Sequence, residues 1–189
     1  MRVISGQAKG RKLKVPKLPR GRRIRPLTDQ AREALFNILG ALVDDCCFLD
    51  LFAGTGAVGI EALSRGAKIA IFVEHDRSVV STIRENLALT GFSDSSEVYS
   101  LDVSRAIKLL SSKKGRFGII FLGAPYESPA LEKVMELLGA LDLLSEGGVV
   151  VAEHRAKHAI ADVFSALQKF RDARYGDTVL SFYKPRQEA

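Results

Sequence analysis

The chain has 189 residues, 47% of them hydrophobic and 26% charged, enough for one independently stable α/β core that buries about 70% of the surface its unfolded form exposes. Sixteen Gly and six Pro are too few for a low-complexity chain, and the longest apolar runs, 69–73 and 149–152, are far shorter than the ~18 residues a bilayer crossing requires. The net charge is +6 and concentrated: residues 1–25 hold ten Lys or Arg and no acid, while the rest carries 18 basic and 22 acidic groups. A basic arm on a mildly acidic body implies a polyanionic partner.

In chain order, residues 1–6 carry no apolar export core, and the apolar Ile4, Leu13 and Val15 mark the arm as a partly ordered hairpin rather than a free tail. Thr28 reads as the N-cap of a helix over 29–43, with Ala31, Leu35, Ile38, Leu39 and Leu42 as its apolar stripe. Cys46 and Cys47 have neither a disulfide framework nor metal-ligand spacing, so they are expected as buried thiols of a cytosolic, cytoplasmic protein. Strands are predicted at 46–51, 68–73, 97–101, 117–122 and 148–153, and helices at 57–65, 77–89, 104–110, 129–138 and 157–164. Five strand–helix units in succession imply a parallel sheet covered on both faces. Runs 170–175 and 178–183, joined at Gly176-Asp177, read as a closing antiparallel hairpin. The expected organisation is a basic arm over 1–25 and a domain over 26–189, one folding unit and a monomer.

The strongest local signal is the run DLFAGTGAVG over 50–59, between the first strand and its helix. Gly54, Gly56 and Gly59 fit the dinucleotide fingerprint, in which missing side chains permit a tight turn and a close backbone approach to a ligand. Glu74 ends the second strand 20 residues after Gly54, where an acid accepts hydrogen bonds from ribose hydroxyls. A dinucleotide satisfies both features, and so does a turn with no ligand. Two details favour S-adenosyl-L-methionine: Asp50 at the strand end repels a pyrophosphate but suits an α-ammonium group, and the unit follows a helix and a basic arm. The candidate cofactor residues are Asp50, Phe52, Ala53, Gly54, Thr55, Gly56, Glu74, His75, Asp102 and Val103. Asp102, after the third strand, reads either as an acceptor for the adenine amino group or as a helix N-cap. His75, His154 and His158 lack ligand-like companions, read as surface histidines, and leave no metal site.

Several stretches together resemble the RsmD-type 16S ribosomal RNA guanine-N2 methyltransferases, and the resemblance covers nearly the whole chain. They are RVISG over 2–6 with GRKL over 10–13, RPLTD over 25–29 with REALFN over 32–37, the glycine loop with its helix, and Pro125-Tyr126. The resemblance implies a Rossmann-like class I S-adenosylmethionine-dependent methyltransferase with a seven-stranded, mostly parallel sheet. It also implies cofactor contacts from Asp50, Gly54, Glu74 and Asp102, and methylation of a guanine exocyclic amine on the small ribosomal subunit.

The departure lies after the fourth strand, where such enzymes carry Asp or Asn, then Pro-Pro and an aromatic. Here the residues are Gly123, Ala124, Pro125 and Tyr126, the candidate catalytic set. The usual acceptor orients the amine so that its lone pair faces the methyl carbon, while the aromatic stacks on the extruded base. Tyr126 retains the stacking role; the carboxylate or amide is missing. Arg11, Lys12, Arg22, Arg23, Arg25 and Thr28 are the candidate contacts to RNA. Two alternatives stand beside the RNA methyltransferase: a catalytically weak or silent RNA-binding ribosome-assembly factor, and a DNA adenine-N6 methyltransferase, for which no target-recognition domain is evident.

Overall fold

The computed structural model describes residues 1–16, 26–125 and 130–186. Arg22, Arg23, Arg25 and Tyr126 lie outside them.

Thr28 caps α1 (Asp29–Leu39), its hydroxyl accepting from the Ala31 amide at 3.2 Å. The helix stops four residues before the predicted end, because Gly40 turns with φ 53° into a short 3₁₀ segment, Gly40–Val43. Then follow β1 (Cys47–Leu51), α2 (Ala57–Ser64), β2 (Ile69–Glu74), α3 (Arg77–Thr90), β3 (Ser96–Ser100), α4 (Val103–Ser112), β4 (Phe117–Leu122), α5 (Ala130–Ala140) and β5 (Leu144–Arg155). The chain closes with β6 (Val163–Phe164), β7 (Leu167–Tyr175) and β8 (Thr178–Pro185).

One sheet has the order β3-β2-β1-β4-β5-β8-β7-β6. Strands β1 to β5 pair in parallel, and β8 joins β5 antiparallel before the β7–β8 hairpin. The Rossmann-like expectation holds, with one strand more than seven: the two-residue β6. Successive side chains divide between the faces. Phe48, Phe72 and Phe121 pack with α1, α2 and α3 on one side, while Leu49, Val73 and Leu122 pack with α4 and α5 on the other. The chain runs outward from β1 to β3 and then crosses to β4 on the far side of β1. The carboxyl ends of β1 and β4 therefore flank the topological switch point, where ligands of such sheets bind.

Residues 157–164 form no helix. The apolar spacing of Ile160, Phe164 and Leu167 fits a helical stripe, yet these side chains are buried from an extended segment beside α5. The backbone of Phe164 passes so close to Gly139 that a Cβ there would lie 2.1 Å from the Phe164 carbonyl oxygen. A helix at this position has no room for that approach.

The N-terminal residues belong to the same core as the sheet. Val3, Ala8 and Leu13 are buried, and Arg2 pairs with Lys12 in an antiparallel bridge. The carboxylate of Glu61 on α2 accepts from the amides of Ile4 and Ser5. The same acid faces Arg32 at 3.7 Å and Arg65 at 2.8 Å. Arg32 is wholly buried and donates to the Arg2 carbonyl and to Asp29. Its Nε and Nη1 have no hydrogen-bond acceptor among the described residues.

Two other readings are corrected. His154 is buried, with Nε2 at 2.8 Å from the Ser181 hydroxyl and Nδ1 at 2.9 Å from the His158 carbonyl. It sits at the end of β5 and is covered by β8, so neighbouring strands enclose what its sequence position left open. Cys46 and Cys47 are half-buried and unbridged; partial burial, chiefly, pushes the Cys46 thiol up to about 12. No helix of the described residues is long and apolar enough to cross a membrane.

Candidate active site

Asp50, next to last in β1, places its carboxyl group in the sheet interior, 1% exposed. Its Oδ2 accepts from the Gly59 amide at 2.9 Å. This contact requires glycine, because a Cβ at 59 would meet the Phe72 ring at 2.4 Å and Asp50 Oδ2 at 3.2 Å. Burial pushes the Asp50 carboxyl up to about 8, the Gly59 hydrogen bond opposes that rise, and the charges of Glu74 and Glu153 add to it. In the protein alone, Asp50 is therefore mostly protonated at neutral pH.

The loop after β1 is a run of left-handed turns. Phe52 has φ 58°, Gly54 φ 56° and Gly56 φ 75°. A left-handed non-glycine residue stores strain of the kind that gathers at functional sites. Here it turns the backbone back over the sheet, so that the Ala53 amide donates to the Val73 carbonyl and the Gly56 amide to Ala53. Gly56 caps α2. Thr55 is buried, and its carbonyl accepts from the Asn86 carboxamide on α3 at 3.0 Å.

Glu74 ends β2 and reaches the loop: Oε2 accepts from the Gly54 amide at 3.2 Å, and Oε1 accepts from the amides of His75 and Asp76. The exposed His75 ring lies 3.1 Å from Oε1. Asp102 caps α4 through Oδ1, which accepts from Ser104 and Arg105, while Oδ2 takes no hydrogen bond among the described residues. Val103 opens α4 with its side chain in the core. Asp50, the 52–56 loop and Glu74 thus lie together at the carboxyl ends of β1 and β2, with Asp102 just past the end of β3.

Past β4, the Gly123 amide donates to the Leu51 carbonyl at 3.2 Å. Ala124 is buried and Pro125 exposed. Among the RNA candidates, Arg11 donates to the Leu89 carbonyl at 2.6 Å, Lys12 is exposed, and Thr28 serves as a cap.

Sequence reasoning missed two residues here. Asn86 is wholly buried in α3 with nothing in its pattern to distinguish it. Glu153, buried near the end of β5, did carry a signal: VVVAE repeats the form of IAIFVE, an apolar run closed by an acid toward the sheet's carboxyl edge. Among the described residues no group of three His, Cys, Asp or Glu side chains is placed to hold a metal ion.

A sheet of this order, with a buried acid and a glycine turn after its central strand and an acid closing the next, is the Rossmann-like methyltransferase fold. The model of the family described as conserved hypothetical protein 95 matches residues 1–184. YlbH of Bacillus subtilis is 38% identical, over 98% of this chain and 100% of its own. Ribosomal RNA small subunit methyltransferase D of Escherichia coli is 34% identical, over 97% of this chain and 89% of its own. Among solved structures, that of Escherichia coli yhhF superposes with a TM-score of 0.83 at 32% identity, covering 98% of this chain and 97% of the other. The chain belongs to this family, that of the RsmD-type ribosomal RNA methyltransferases, as its opening, RPLTD and glycine-loop motifs imply.

Proposed function

We propose that the protein transfers a methyl group from S-adenosyl-L-methionine to the exocyclic N2 amine of a guanine in 16S rRNA of the small ribosomal subunit. It acts as a cytoplasmic monomer of one folding unit, without a metal. The observation that carries this reading is the pairing of Asp50 with Gly59 and of Glu74 with Gly54 at the carboxyl ends of β1 and β2, in a chain of this family.

The residues present suit the donor. The buried Asp50 carboxyl gains a counter-ion from an α-ammonium group, Glu74 stands where ribose hydroxyls are received, and Asp102 Oδ2 is open to an adenine amino group. Phe52, Ala53, Gly54, Thr55 and Gly56 supply the backbone wall, with His75 and Val103 at its ends. Once bound, the donor supplies an electrophilic methyl group on a sulfonium sulfur. The chain's own contribution is placement: Gly123, Ala124 and Pro125 form the edge against which the base lies, and Tyr126 stacks on it. Arg11, Lys12, Arg22, Arg23, Arg25 and Thr28 are the proposed contacts to the RNA backbone, where phosphate contacts set affinity and register.

The test pairs calorimetry with S-adenosyl-L-methionine and tritium transfer from labelled donor to unmethylated small subunits, naked 16S rRNA and duplex DNA. Labelling of the small subunit or its RNA at guanine N2 is expected. Donor binding without transfer to any substrate favours the silent assembly factor, a reading that the loss of the usual acceptor at Gly123 supports; labelled adenine in DNA overturns both.

A further inference from the structure

Gly123 removes the side chain that relatives in chemistry use to hold the amine, and the geometry around it shows what fills the space. A Cβ built at Gly123 would lie 3.6 Å from Glu153 Oε2 and 3.2 Å from the Phe121 ring. The carboxylate of Glu153 therefore stands where a side chain on residue 123 would project. The sheet register explains how. Leu51, Leu122 and Ala152 lie side by side on β1, β4 and β5, so the next positions, 123 just past β4 and 153 near the end of β5, are neighbours and follow Phe121 and Val151 onto the Asp50 face. The acid is also close enough to Asp50 to raise its proton affinity.

We propose that Glu153 is a catalytic residue, the acceptor that holds and deprotonates the target amine, so that the carboxylate normally carried by the strand-four loop comes here from the neighbouring strand. The inference rests on the methyltransferase reading above and deepens it. The N2 lone pair forms the new bond to the methyl carbon, the carbon–sulfur bond breaks with its pair on sulfur, and the N2 proton passes to Glu153 Oε2 and on to water. A carboxylate aimed at the amine before transfer fixes the lone-pair direction, which is the part of the barrier that placement lowers. Its low exposure strengthens the contact, because water competes poorly for a hydrogen bond in a low-dielectric pocket.

The test uses the full chain, labelled donor and unmethylated small subunits. Glu153→Ala is expected to lower kcat by roughly 30- to 1000-fold, the loss typical of one transition-state hydrogen bond. The dissociation constant for S-adenosyl-L-methionine, read by calorimetry on the folded variant, should stay close to wild type, so that the loss falls on kcat. Glu153→Gln, which keeps an acceptor oxygen, should retain more activity than Glu153→Ala. The decisive arm is Gly123→Asp combined with Glu153→Ala: Gly123 does not need a left-handed φ, and removing the Glu153 side chain opens the space, so the returned carboxylate should recover at least tenfold over Glu153→Ala. The proposal is overturned if Glu153→Ala keeps kcat within threefold of wild type. It is equally overturned if the double variant folds and binds donor but recovers nothing, or if Glu153→Ala loses donor affinity in step with activity. Absence of transfer by the wild-type protein sinks the parent reading instead, a result separate from all three.

Discussion

The amide of Gly59 donates to Oδ2 of Asp50 across 2.9 Å, tying the first turn of α2 to the end of β1. Gly59→Ala drives a methyl group into Phe72. Overpacking of this kind is expected to destabilise the fold by about 1–3 kcal/mol and to abolish donor binding, since Asp50 and the loop move together. Thermal denaturation and calorimetry on the same variant check both outcomes; unchanged donor affinity would show that the glycine is needed for packing alone.

Protonation of Asp50 makes donor binding pH-dependent. Its carboxyl is raised from 3.8 to about 8, so from about pH 4 to about pH 8 the folded chain keeps a proton that the unfolded chain has released, and stability falls as pH rises through that window. An ammonium partner favours the ionised form. Binding of S-adenosyl-L-methionine at pH 7 should therefore release close to one proton, measured by calorimetry in buffers of differing ionisation enthalpy. Asp50→Asn should flatten the fall in melting temperature between pH 5 and 8 and remove the proton release. A wild-type protein that releases none refutes the assignment of the ammonium to Asp50.

Arg32 and Glu61 are both closed to solvent and lie 3.7 Å apart, Nε to Oε2. Burial, the largest influence, lowers the Arg32 pKa, and Glu61 and Asp29 oppose that shift. Glu61→Gln leaves the guanidinium with an exposed acid as its remaining counter-charge, a loss expected to cost about 3–5 kcal/mol. Because Glu61 also accepts from Ile4 and Ser5, the N-terminal residues should become the first site of proteolysis in that variant. Limited digestion followed by mass analysis reads this directly.

Charge reversal at Lys12, Arg22 and Arg23 should weaken RNA binding and leave donor affinity unchanged. The slope of log affinity against log salt should shrink by about 0.7 to 0.9 for each phosphate contact removed. An unaltered slope in filter binding would mean that the arm's charge faces water.

The strand and helix pattern of the parallel half was legible because each strand is a short apolar run bounded by a turn residue, as at Asp50-Leu51 before the glycines and at Glu74 before Asp76. The nearness of Asp50 and Glu74 to the glycine loop was legible for the same reason, since both stand at the carboxyl ends of adjacent strands. Segment 157–164 was not: Ile160, Phe164 and Leu167 satisfy a helical period, and only the closeness of Phe164 to Gly139 on a distant helix rejects it. His154 and Asn86 were hidden for a related reason. Their burial comes from β8 and from the N-terminal residues, partners set by tertiary structure and not by neighbouring sequence.

Asn86 has one further effect. Its carboxamide donates to the carbonyls of both Lys14 and Thr55 and accepts from the Lys14 amide. The segment around Lys14 and the glycine loop at Thr55 thus hang on a single planar group, which rotates as one body. A shift of either carbonyl changes a hydrogen bond of the same amide, so the two segments are coupled without passing through the sheet.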